Sequence, residues 1–237
     1  MKVTVRGTWP GQVTLRAGFA KGVARPWNET ILDAHLRVDR GSVGFLRSGF
    51  DALIELGAPA VSSPPLPVPR LPMWRDAGFK PWLDLHMYGR DIMRKPLALD
   101  HPIEEGSAAD WSTAIDIDRR SFDELWRLGP LGLHEAREAT STSTFMVVKH
   151  EGRVVGFAIV GIGSRIGYLQ RIAVEPEARG HGYGRALVRQ SIRWTVDRGG
   201  TSLLLNTQPE NDGAAALYLS EGFNRIANSL SVLRRAA

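Results

Sequence analysis

Leu169-Gln170-Arg171-Ile172-Ala173-Val174-Glu175-Pro176 leads through Glu177 and Ala178 into Arg179-Gly180-His181-Gly182-Tyr183-Gly184. The first part is an apolar, β-branched run that ends at a proline unable to donate to a sheet ladder. The second is a glycine-rich turn. From Arg185 to Arg198 the period changes: Val188, Ile192 and Thr195 fall on one face, while Arg185, Arg189 and Arg193 recur on another. Strand, glycine turn and helix N-terminus make an anion site, because glycines admit close approach, free amides point outward and the helix dipole favours negative charge. It is not a Walker loop, since no Gly-Lys-Ser/Thr follows, nor a dinucleotide fingerprint, since the glycine spacing is wrong.

Working outward, Phe145–Lys149, the turn His150–Arg153 and the run Val154–Val160 read as a hairpin. Gly161–Arg165 then breaks the chain before Tyr168–Val174, giving a three-stranded meander. Downstream, Ser202–Thr207 reads as a buried strand. Asn211 and Asp212 can cap a helix over Gly213–Glu221 that Gly222 stops, and a last strand is expected over about Arg225 to Leu233. Upstream, Gly57–Pro72 is too rich in proline for a regular central element and reads as a linker or an irregular strand plus loop. Asp91–Glu105 is the expected domain boundary, with helical patterning resuming over Ala108–Trp126.

The block Leu169–Gly184, together with Asn211-Asp212-Gly213-Ala214-Ala215-Ala216-Leu217-Tyr218-Leu219-Ser220-Glu221-Gly222-Phe223, resembles the GNAT superfamily of acyl-CoA-dependent N-acetyltransferases. The resemblance implies an α/β fold with a central mixed, largely antiparallel sheet flanked by helices. It also implies acetyl-CoA as cosubstrate. The main chain of Ile172, Ala173 and Val174 would take the pantetheine arm, and the amides of Arg179, Gly180, His181, Gly182, Tyr183, Gly184 and Arg185 the pyrophosphate. Asn211 would reach the pantetheine or the sulfur end, and a helix-cap role is open beside that one. Tyr218 would act as general acid toward the departing thiolate, and an amine would attack directly in a ternary complex. Relatives often carry a glutamate base where this chain has Tyr168 and Asn206, so no base is assigned. That departure keeps open a non-catalytic acyl-CoA-binding or regulatory protein.

An internal copy is legible as well. Arg40-Gly41-Ser42-Val43-Gly44, the helical stretch Phe45–Leu56 and Trp74-Arg75-Asp76-Ala77-Gly78-Phe79 parallel the later blocks, and Lys80–Tyr88 is strand-like. The expected organisation is a degenerate, truncated GNAT-like lobe over 1–95 and a catalytic domain over 96–237, similar to the tandem arrangement of mycothiol synthases. Met1–Val38 reads as short for a full set of strands. Trp9, Trp27, Trp74 and Trp82 are expected in the core.

Composition narrows the partners. The 237 residues carry 30 Lys+Arg against 25 Asp+Glu, a net charge of +5, and no cysteine. There is therefore no disulfide, thiolate nucleophile or cysteine-ligated zinc, which suits a reducing, cytoplasmic setting. The six histidines are scattered without metal spacing, so no metal is expected. Dispersed charges without a basic run argue against nucleic acid. The longest apolar stretch, Val154–Gly163, falls far short of the roughly 20 residues a membrane helix needs. The expected acceptor is a small-molecule or peptide amine, its identity and the oligomeric state being unread.

Overall fold

The computed structural model describes residues 2–92, 98–227 and 229–237. They form two compact units, Met1–His86 with Asn228–Ala237, and Met87–Ala227. The boundary expected at 95/96 falls outside the described residues.

In the first unit, β1 (Thr4–Arg6), β2 (Val13–Ala17), β3 (Ala20–Pro26) and β4 (Ala34–Arg40) pair in sequence as antiparallel neighbours. Period-two alternation sends Val13 and Leu15 into the core. Helix α1 (Val43–Glu55) follows, its N-cap Ser42 accepting the Phe45 N–H through its hydroxyl. Phe45, Leu46, Phe50 and Leu53 line its buried face. Of the two readings of the proline-rich segment, the structure bears out the irregular strand plus loop and not the linker. The segment folds as β5 (Ala60–Ser62) and β6 (Leu66–Pro67), and β5 lies parallel to β4. Then come α2 (Leu71–Asp76) and β7 (Lys80–Asp91), within which the unit boundary falls. Trp74 is 2% exposed and meets Phe79 edge-on at 4.8 Å. Trp9, Trp27 and Trp82, expected in the core, are only half-buried, and Trp27 packs edge-on against both His35 and Trp82.

The second unit repeats this order with an insertion. β8 (Ile103–Glu105) is followed by α3 (Ala108–Ser121) and α4 (Gly129–Glu138). The meander β9 (Thr142–His150), β10 (Arg153–Gly163) and β11 (Ile166–Val174) comes next, then α5 (Tyr183–Asp197), β12 (Ser202–Thr207), α6 (Asp212–Ser220) and β13 (Asn224–Arg225). Both meander turns take two residues. Glu151 and Gly152 have φ of 48° and 77°, Ser164 and Arg165 of 49° and 66°, the positive values that tight hairpins require. The break expected over Gly161–Arg165 is therefore only Ser164-Arg165. The near-continuous apolar run of each strand serves two cores. Phe145, Val147, Phe157 and Ile159 pack with α3 and α4 residues Ala114, Ile117 and Leu133. Met146, Val148, Ala158 and Val160 pack with α5 residues Leu187, Val188 and Ile192.

The last strand corrects two expectations. It is not continuous over 225–233: β14 (Leu230–Ala236) is separate from β13 and belongs to the first unit, where it pairs with β5, β6 and β7. Nor does the first unit lack strands. Four fit within Thr4–Arg40, because β1 and β2 are joined directly where β8 and β9 are separated by α3 and α4. What the copy lacks is that helical pair.

Candidate active site

The site begins with a strand that loses its neighbour. β12 pairs in parallel with β11 only from Ile166–Ser202 to Leu169–Leu205, while β11 continues to Val174. At the parting point β11 bulges: Ile159 faces Arg171 and Val160 faces Leu169, so Gln170 is the extra residue. Beyond it, the Glu175 N–H donates to Val155 O at 2.8 Å. Alternation along the strand then turns the main chain of Arg171 and Ala173 toward β10, and that of Ile172 and Val174 toward the opening. This corrects the expectation for Ala173, whose polar groups are engaged with its partner Phe157. The Val174 carbonyl accepts the Ser121 hydroxyl at 3.1 Å, leaving its N–H and both groups of Ile172 on the open edge.

At the end of β11 the glycine loop forms a second set of donors. Gly180 and Gly182 have φ of 82° and 85°, in the left-handed region that favours glycine, and Gly182 is the N-cap of α5. Tyr183, Gly184 and Arg185 open the helix, so their N–H groups lack an acceptor within it. Arg179 does not join them. Its N–H donates to Pro176 O, and its guanidinium to Ser121 O at 3.1 Å and Val174 O at 3.4 Å. The His181 ring folds back, Nδ1 lying 3.0 Å from Arg179 O. Tyr183 is buried, with its hydroxyl 2.9 Å from His150 Nδ1. The cradle is thus main chain from Gly180 to Arg185, walled by packed rings. The Arg185 side chain turns away to Glu221 at 3.1 Å.

Tyr218 stands on α6, 4% exposed, its ring 5.8 Å from that of Tyr88 and 6.0 Å from that of Phe223. Burial pushes its phenol well above the ordinary range, and Arg171 opposes only part of that. The hydroxyl is therefore neutral and a donor throughout the physiological range. Asn211 is a cap: Oδ1 accepts the Ala214 N–H at 3.1 Å and Nδ2 approaches Gln208 Oε1 at 3.4 Å. Tyr168 on β11 is half-buried and Asn206 on β12 exposed. Glu175 is ionised and held on both oxygens by Arg120, each contact 2.7 Å, which lowers its carboxyl.

One feature of the site went unread in the sequence. Arg171 Nε donates to Asp118 Oδ1 at 2.6 Å, and its NH2 group to Trp126 O at 2.9 Å, with the guanidinium 3.5 Å over the Phe122 ring. Asp118 is fully buried and also accepts the Leu128 N–H. The pair thereby ties the α3–α4 connection to the open strand. The only local signal is an arginine inside an apolar strand run. Asp118→Ala strands a buried guanidinium, and a loss of about 3–5 kcal/mol is expected. Urea denaturation reads it, and an unchanged midpoint would contradict the assignment.

The acetyltransferase (GNAT) family matches over residues 111–223, the span that holds the open strand, the cradle and Tyr218. These residues form a GNAT domain. The chain is 32% identical over 206 residues to a mycothiol acetyltransferase of Thermobispora bispora, covering 86% of this chain and 63% of that one. An aminoglycoside N(6')-acetyltransferase type 1 of Klebsiella aerogenes is 27% identical, with 54% of this chain matching 91% of it. The chain spans 43% of the mycothiol acetyltransferase of Amycolatopsis mediterranei. Among solved structures, a tandem GNAT protein from the clavulanic acid biosynthesis pathway aligns with a TM-score of 0.62 at 10% identity, over 95% of this chain and 82% of that one. That likeness concerns the fold, and it matches the repeated strand and helix order of the two units. Among the described residues no group of His, Cys, Asp and Glu could hold a metal, and no helix is long and apolar enough to cross a membrane.

Proposed function

We propose that the GNAT domain transfers an acetyl group from acetyl-CoA directly to a primary amine. The observation that carries this reading is the continuity of three features: an open strand edge at Ile172 and Val174, an amide cradle at Gly180–Arg185 and a buried neutral phenol at Tyr218. The strand edge suits the amide-bearing pantetheine arm and the cradle a diphosphate. The residues that would hold acetyl-CoA are thus Ile172, Val174 and Gly180–Arg185, with Asn211, the cap of α6, reaching the pantetheine through its side-chain amide. A main-chain N–H on the open edge of β11 is placed to donate to the oxyanion that forms as the amine attacks the thioester carbonyl. The Tyr218 hydroxyl supplies the proton that the departing thiolate takes up, and the proton that the nitrogen sheds as the amide forms restores the phenol by way of solvent. No cysteine is present to carry an acetyl group, which favours direct transfer.

The names of the relatives favour a small-molecule amine as acceptor over a peptide amine. Tyr168 and Asn206, at places where a glutamate base is expected, favour a second reading as a non-catalytic acyl-CoA binder. Incubation with acetyl-CoA and a panel of amines separates the two. Amine-dependent release of free CoA above hydrolysis is expected. Binding of acetyl-CoA without release for any amine would favour the second reading.

A further inference from the structure

We infer that His101 is a positioning residue for the anion cradle, acting by aiming the Gly182 N–H. It lies 80 residues from the loop in sequence, yet its Nε2 is 2.7 Å from the His181 carbonyl oxygen. A carbonyl only accepts, so Nε2 carries the hydrogen. The His181 carbonyl and the Gly182 N–H belong to one planar trans peptide and point in opposite directions. Fixing the oxygen on His101 therefore turns the Gly182 N–H away from His101 and holds it there.

The loop needs such a fixture. Glycines at 180, 182 and 184 leave the intervening peptide planes with low barriers to reorientation, and free rotation would cost binding entropy. His101 is itself held on both sides. Its ring lies 4.4 Å from that of Tyr183, whose hydroxyl meets His150 Nδ1. The preceding segment is tied to α5, Arg189 donating to Ala98 O at 3.1 Å and pairing with Asp100 at 3.5 Å. The His181 ring does not compete, being turned back to the carbonyls of Ala178 and Arg179.

The inference rests on the acetyl-CoA reading and is tested with two acetyl donors, acetyl-CoA and acetylpantetheine, the latter lacking the diphosphate. His101→Leu is expected to raise KM for acetyl-CoA about tenfold, the loss of one aimed hydrogen bond, with kcat unchanged. KM for acetylpantetheine should not move. His101→Gln, whose side-chain amide places a donor where Nε2 stood, should restore the wild-type value. An equal effect on both donors, a fall in kcat, or a glutamine variant no better than leucine would overturn the role of His101. Equal KM for the two donors in the wild-type chain would instead overturn the cradle itself, and no turnover with either would overturn the acetyltransferase reading.

Discussion

Replacing Gly182 with glutamate is expected to abolish measurable acetyl-CoA binding. Gly182 has φ of 85°, a conformation that costs a side-chain-bearing residue about 1–2 kcal/mol. Strain alone would weaken binding without ending it, and Gly182→Ala isolates that part. The added Cβ would meet His101 only at 3.4 Å, so the site itself has room. The larger effect is electrostatic: a carboxylate at the N-cap of α5 would take the helix N-terminal donors and repel the diphosphate. Titration calorimetry reads the loss. Micromolar binding retained by the glutamate variant would remove the loop from the cofactor site.

Tyr218→Phe should lower kcat by about 100-fold or more while leaving KM for acetyl-CoA nearly unchanged, the signature of a lost general acid. The substitution deletes one oxygen from a ring 4% exposed and keeps its contacts with Tyr88 and Phe223, so the fold persists. The pH dependence follows from the direction of the shift. Burial raises the folded phenol above its ordinary 10.0, so the proton is present at every pH below that value. Stability from keeping the phenol neutral is likewise complete below 10.0 and declines only as pH rises toward the folded value. An alkaline limb in kcat below that range therefore belongs to another group. A phenylalanine variant with undiminished kcat would remove the acid role from Tyr218.

Local signals made much of the site legible. Left-handed glycines, a proline that ends β11, the Asn211 cap and the switch from strand to helix period are each written in a few neighbouring residues. Long-range partners were not. That Arg179 donates its N–H to Pro176, or that Ala173 faces β10, depends on a 3₁₀ turn and a strand register that composition does not display. His101 and Asp118 reach the site from segments 80 and 53 residues distant, so no motif spacing joins them to it. Helix α4 escaped reading because Gly129, Pro130 and Gly132 mask its period. The N-terminal strands were underestimated because the β2–β3 connection is only Gly18-Phe19.

The two units also show how one fold keeps or loses a cradle. In α1 the N-cap is Ser42, whose hydroxyl already takes the Phe45 N–H, whereas in α5 the N-cap is a glycine that leaves its donors open. Where α6 carries Tyr218, α2 carries Trp74, an indole sunk in the core with no acidic proton for a thiolate.

The most direct measurement is calorimetric titration of the whole chain with acetyl-CoA. A cradle that is open in the second unit and capped in the first predicts one binding site per chain, lost in the Gly182→Glu variant. Two sites per chain, or no binding heat at all across temperatures, would contradict the account.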